Sequence, residues 1–225
     1  MSDYPIFLRL AAAPVLIIGG GKVALRKACG LADAGAIITV ISPCFHPDFH
    51  TMSAVTRVTL PYPAGWLSAP GQPHWRLVFI ATSKPQVNLQ AGADARAANI
   101  LCCRCDDSGD GDFTGAATAR RGPITLAVST GGASPRLAAS LADHLLAAIP
   151  QETIAHADLL EKWRPIIMKK VGDSTRRTQL LTFIASEDFL QTLRLHGPTA
   201  GDRLITERIG LLPVPAPSIS PTETL

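Results

Sequence analysis

Through the first hundred residues, short runs of branched apolar residues alternate with longer stretches whose apolar positions recur at helical intervals. The run "PVLII" at 14–18 holds no polar residue, as expected of a strand buried on both faces. The next stretch, "KVALRKACGLADAG", places Val23, Leu31 and Ala34 at helical spacing and closes on Gly35, a C-terminal glycine stop. "AIITVIS" at 36–42 is a second strand run, so strand, helix and strand follow within a length suited to a parallel crossover. Right-handed crossover then puts the helix on one face of the sheet. "RLVFIAT" at 76–82 repeats the strand signal, with Ser83 as N-cap, Pro85 in the first turn and a helix to about residue 98. "ILCCRC" is the strand after it. The alternation predicts an α/β fold, a parallel sheet with helices on both faces.

The pattern then changes. "FTGAATARRGPITLAVSTGGASP" reads as two strand runs joined around 121–123, after which Ser134 and Pro135 open a helix to about residue 148 that Pro150 ends. From 151 to about 209 the strand signal gives way to helical spacing, as in "TIAHADLLEKWRPIIMKK". The tail "LLPVPAPSISPTETL" at 211–225 is rich in Pro, Ser and Thr and is expected to be disordered.

A length of 225 residues suits one full domain and a smaller appendage, and 47% hydrophobic with 17% charged residues is a globular composition. A net charge of +3 with no Lys or Arg run argues against nucleic acid as a partner. Cys29, Cys44, Cys102, Cys103 and Cys105 form no even, spaced framework, which favours free thiols and a cytoplasmic protein. No apolar run approaches the roughly 18 residues of a membrane span. The first residues carry Asp3 where a leader peptide carries basic residues, so secretion is not expected.

Candidate chemistry begins at the end of the first strand. Gly19, Gly21 and Ala24 fill a G-x-G-x-x-A spacing: a glycine for the tight turn, a glycine that lets a pyrophosphate approach the backbone, and a small residue for close helix packing. With the helix N-terminus as an anion site, a nicotinamide dinucleotide is the expected ligand. Its expected contacts are Gly19, Gly20, Gly21, Lys22, Val23, Ala24, Ser42, Pro43, Cys44 and Thr82. Ser42, Pro43 and Cys44 stand where an acid would hold the ribose, and Arg26 or Lys27 lies within reach of a phosphate. The residues alone therefore leave NAD against NADP open.

The segments "YPIFLRL", "GGGKVALRKACGLADAGA", "ATSKPQVN", "DDSGDGDF" and "RGPITLAVSTGGASPRLAASL", in this order over residues 4–150, resemble the precorrin-2 dehydrogenase and sirohydrochlorin ferrochelatase family of sirohaem synthesis. The resemblance implies an NAD-binding Rossmann domain over 1–112, a small central α+β dimerisation region over 113–150 and a helical region over 151–210. It also implies a cytoplasmic homodimer that converts precorrin-2 to sirohydrochlorin with NAD, and, at this length, a standalone enzyme without the methyltransferase half of the fused synthases. Some members of the family also insert ferrous iron into sirohydrochlorin. The sequence does not separate the two kinds.

On this resemblance Asp106 is the general base, and burial is expected to raise its pKa toward working pH. Without it, Asp106 reads as an ordinary loop acid beside Asp107, Asp110 and Asp112. The family's usual asparagine three residues earlier is Cys103 here, a weaker hydrogen-bonding partner. Ser129, Thr130, Gly131 and Gly132 of "STGGASP" form a glycine turn before a helix, and the resemblance sets them near the macrocycle. Arg120 and Arg136, with Arg104 and Arg121 as further candidates, suit the eight carboxylates of precorrin-2. Cys103 and Cys105 share a strand face opposite Cys102, and no metal site is expected of them or of His46, His50 and His144. The rival readings are a non-catalytic NAD(H) sensor and a tetrapyrrole-binding relative without turnover.

Overall fold

The computed structural model describes residues 3–210; the tail expected to be disordered lies outside them. The chain divides into two compact units, residues 1–116 with 131–133, and residues 117–130 with 134 onward.

The first unit is a five-stranded, all-parallel sheet in the order β3-β2-β1-β4-β5. Its strands are β1 (Pro14–Ile18), β2 (Ile37–Ile41), β3 (Val55–Val58), β4 (Leu77–Ile80) and β5 (Leu101–Arg104). Helix α1 (Lys22–Asp33) joins β1 to β2, and α2 (Pro85–Ala97) joins β4 to β5. Strand β1 is central because all its neighbours are apolar: Val15 and Ile17 pack with Ala24, Ala28 and Leu31 of α1, whereas Leu16 and Ile18 pack with Ala91 and Ala95 of α2. The alternation of β1 thus feeds two cores, one per face. Order and direction are those of a Rossmann fold, whose ligands lie outside the carboxyl ends of the strands at the β1/β4 switch point.

Local chemistry sets the ends. Gly35 follows α1 in the left-handed region (φ 72°) and donates to the Ala32 carbonyl at 2.9 Å. The start of α2 differs from expectation: with Pro85 as its first residue, the N-cap is Lys84 rather than Ser83. Strand β3 was not evident in the pattern. It is an edge strand with only Val55 buried, so its sequence "VTRV" lacks the apolar run of its neighbours.

The second unit holds the hairpin β6 (Ala117–Arg121) and β7 (Ile124–Val128), antiparallel across a Gly122-Pro123 turn, against which α3 (Pro135–Ala147) packs Ala138 and Ala142. Helices α4 (Gln151–Lys170), α5 (Ser174–Ile184) and α6 (Glu187–Ile209) bury Leu159, Trp163, Ile167, Ile184, Phe189 and Ile205 against one another. Side chains cap α3, α5 and α6 from Ser134, Asp173 and Ser186, and α6 breaks at Gly197 before Pro198. No helix among the described residues is long and apolar enough to cross a membrane.

Candidate functional site

The carboxyl ends of β1, β2 and β4 open onto a cavity of about 670 Å³. Gly19, Gly20, Gly21, Lys22 and Val23 form one wall, Ser42, Pro43 and Cys44 a second, and Thr82 with Ser83 and Lys84 a third. Nine of the ten residues expected to contact a dinucleotide therefore line one cavity. The tenth, Ala24, is fully buried behind the turn and packs α1 onto the sheet.

The three glycines have three different reasons. Gly19 has φ 115°, and a Cβ there would overlap the Ala81 carbonyl. A Cβ on Gly20 would overlap the Cys44 carbonyl oxygen, because residues 42–46 fold back over the turn and His46 N–H donates to the Gly20 carbonyl at 2.7 Å. Gly21 has neither constraint: it caps α1 with ordinary extended dihedrals, and a Cβ would meet nothing within 4 Å. It supplies no side-chain cap, so the first N–H groups of α1 have no side-chain acceptor from it. That leaves open space beside a helix N-terminus, an environment that favours an anion.

No acidic residue lines the cavity, and its charged groups are Lys22 and Lys84. Ser42 is 5% exposed and its hydroxyl donates to the Cys44 carbonyl at 2.6 Å, so it is already engaged. Arg26 and Lys27 do not reach the cavity; the Lys27 ammonium stands 5.7 Å over the Phe79 ring. His46, Pro61, Tyr62 and Val87 also line the cavity, and no local spacing singled them out as contacts. Val87 arrives on the first turn of α2, and His46, Pro61 and Tyr62 on loops held by distant contacts, His46 N–H to the Gly20 carbonyl and the Tyr62 hydroxyl to Asp94.

At the end of β5 lies Asp106, with its side chain 32% exposed. Arg104 Nε and Nη2 donate to its two carboxylate oxygens, each at 2.9 Å. This corrects the expected pKa: hydrogen bonding from Arg104 is the largest effect and holds the Asp106 carboxyl well below the usual carboxylate range, against an opposing but smaller effect of burial. The Asn88 side chain of α2 lies close enough to lower the Asp106 pKa further. An amide side chain thus lies near Asp106 from another element, although Cys103 stands where the resemblance leads one to expect an asparagine. Asn88 is 1% exposed, its oxygen accepts from the Thr82 hydroxyl at 2.5 Å, and its nitrogen donates to the Thr82 carbonyl at 3.1 Å. Asn88, beside Asp106, is thus tied to Thr82 of the cavity wall.

The cysteines sort by strand face as expected, Cys102 in the α2-side core and Cys103 with Cys105 on the α1 side. The neighbouring Cys103 thiol lowers the Cys105 pKa, with the Lys27 ammonium acting in the same direction. Among the described residues no three His, Cys, Asp or Glu side chains cluster as a metal site.

In the second unit, Thr130 Oγ1 accepts from the Ser134 N–H at 3.0 Å, and Ser134 Oγ caps α3 through the Leu137 N–H at 3.2 Å. Gly131 and Gly132 both have positive φ with open space at the Cβ position. Ser129, Arg120 and Arg136 are exposed, and Arg120 Nε donates to Thr125 Oγ1 at 3.1 Å. Two arginines considered for substrate are otherwise engaged: Arg104 is buried against acids, and Arg121 bonds the Ile149 carbonyl and Gln151.

Two family models match the chain, one described as NAD(P)-binding over residues 6–117 and one as sirohaem biosynthesis protein, central, over residues 121–147. The chain is 38% identical over 177 residues to the siroheme synthase of Tolumonas auensis, covering 78% of this chain and 37% of that protein. It is 35% identical over 207 residues to siroheme synthase 2 of Serratia proteamaculans, covering 91% of this chain and 44% of that protein. The chain belongs to the sirohaem synthase family. It spans less than half the length of these relatives. Among solved structures, the one titled "SirC, precorrin-2 dehydrogenase" superposes with a TM-score of 0.71 at 23% identity, covering 91% of this chain and all of that one, a likeness of fold. Within this family, the matched regions hold both the glycine turn and Asp106 in the NAD(P)-binding part, and "STGGASP" in the central part.

Proposed function

We propose that the protein is an NAD-dependent dehydrogenase that converts precorrin-2 to sirohydrochlorin. The observation that carries this reading is a carboxylate, Asp106, held by the Arg104 fork at the same carboxyl edge of the parallel sheet onto which the glycine-turn cavity opens. The names of the relatives point to the same chemistry.

The conversion removes one hydride and one proton from the macrocycle. The nicotinamide ring, when bound, accepts the hydride. Gly21 and the α1 N-terminus would hold the pyrophosphate, and Ser42, Pro43 and Cys44 the adenosine end. Hydride loss leaves the substrate cationic and its ring protons more acidic. A carboxylate that stays ionised stabilises that charge as it forms, and a weak base suffices to accept the proton. Ser129, Thr130, Gly131, Gly132, Arg120 and Arg136 are proposed to meet the substrate's carboxylates.

Ferrous iron insertion into sirohydrochlorin is a second proposed activity, with iron as substrate. Anaerobic incubation of purified protein with enzymatically made precorrin-2 and NAD, with and without ferrous iron, tests both steps. NADH absorbance with the sirohydrochlorin spectrum is the expected result, and iron-dependent loss of that spectrum above the uncatalysed rate marks insertion. NAD-binding protein that yields no sirohydrochlorin would favour a sensor or binding role.

A homodimer is also proposed. Leu137, Leu141 and Leu145 form an exposed stripe along α3, 51%, 39% and 53% exposed, beside a two-stranded sheet with free edges. Analytical ultracentrifugation is expected to give twice the chain mass, and Leu141→Glu to give monomer with unchanged helix content.

A further inference from the structure

Arg104 is a cation removed from solvent, its side chain 4% exposed. It lies alongside α2 at Gly92, where a Cβ would make ordinary van der Waals contact with Arg104 Cδ at 3.8 Å. Its fork spans two acids, Asp106 through Nε and Nη2 and Asp110 through Nη1. Arg96 holds the other oxygen of Asp110 at 3.0 Å. Burial of a guanidinium is costly unless its donors are satisfied, and here two acids satisfy it. Such an arginine is not free to meet a substrate carboxylate; its ligand is Asp106 itself.

We propose that Arg104 is a positioning residue that acts through Asp106, fixing its carboxylate so that the lone pairs away from the guanidinium face a tetrapyrrole substrate. The proposal rests on Asp106 being the reacting carboxylate. A planar fork holding both oxygens fixes the carboxylate plane, which a single ammonium does not. The fork also keeps Asp106 ionised. The charged and titratable groups around it are Arg104, Cys105, Asp107 and Asp110 from β5 and the following loop, and Arg96 from α2 through Asp110. Arg26 and Lys27 of α1 act on Cys105.

The sign of the pH effect follows. With Arg104 present, protonation of Asp106 lies below the ordinary carboxylate range, so kcat/KM is expected to have no acid limb from this group between pH 5 and 8. Without it, protonation moves up in pH and an acid limb appears. Arg104→Gln is expected to lose at least about tenfold in kcat at pH 8, with a further loss toward pH 5. Arg104→Lys is expected to lose kcat but keep the flat profile, because charge remains and the fork does not. Carbon-13 carboxyl NMR of aspartate-labelled wild type, with the Asp106 signal assigned by its absence in Asp106→Asn, reads the same titration without turnover and requires no Arg104 variant to fold.

Depressed titration of Asp106 in wild type, with the limb appearing in Arg104→Gln, supports the clamp. Ordinary carboxylate titration in wild type, or identical kcat and pH profiles in Arg104→Lys and wild type, overturns it. Full turnover by Asp106→Asn would instead remove the role of Asp106 and leave the NMR result to judge the clamp alone.

Discussion

Asp106→Asn is expected to lower precorrin-2 turnover by about 10² to 10⁴-fold while leaving NAD affinity within about twofold of wild type. Asparagine has nearly the same shape and keeps one oxygen to accept from Arg104, but it has neither the charge nor the capacity to take a proton. Asp106 is not part of the cavity wall, so cofactor binding and turnover separate cleanly. The substitution also weakens one partner of a buried guanidinium, at about 1 to 3 kcal/mol, with Asp110 still in place. The variant is therefore compared well below its lowered Tm. A depressed carboxylate pKa contributes stability above the unfolded value of about 3.9, and loses it as pH falls through the lower folded value. The Tm difference between wild type and variant is thus expected to be constant near neutral pH and to shrink only in strong acid. NADH formation, calorimetric NAD binding and thermal melts at two pH values check these outcomes. Undiminished turnover would show that Asp106 is not the reacting carboxylate.

The parts of this molecule legible in the sequence are those decided by near neighbours. Strand β1 and helix α1 follow from an unbroken apolar run and a helical period, and the face shared by Cys103 and Cys105 follows from strand alternation alone. What escaped depends on residues far apart. Gly20 is required because the Cys44 carbonyl returns over it, a contact that no local spacing encodes. Arg104 read as a candidate for the substrate's carboxylates, yet it ends a strand two residues before Asp106, and the opposite charges at that spacing were an available signal for a pair. Asn88 lies 18 residues before Asp106 and comes near enough to lower its pKa because α2 packs back across β4 and β5. The expected upward pKa shift failed for the same reason: burial was inferred from position, but the cation that outweighs it was not assigned to that carboxylate.

Gly21→Val is expected to weaken NAD binding by at least about 100-fold, roughly 2.7 kcal/mol, with a Tm within a few degrees of wild type. The φ and ψ of Gly21 (−84° and −173°) are extended dihedrals that valine adopts readily, and the added atoms meet no protein group within 4 Å of the Cβ position. The cost to the fold is confined to a poorer N-cap, about 1 kcal/mol or less. The isopropyl group would instead occupy the space through which a pyrophosphate reaches the first N–H groups of α1. Gly20→Ala is the informative contrast. Its Cβ would collide with the Cys44 carbonyl and lie 2.9 Å from Ser42 Oγ, so the return loop must move and the Tm is expected to fall along with affinity. Calorimetric titration with NAD and thermal denaturation of both variants separate a glycine kept for its ligand from one kept for its fold. Wild-type affinity in Gly21→Val would mean that the dinucleotide does not lie on the α1 N-terminus.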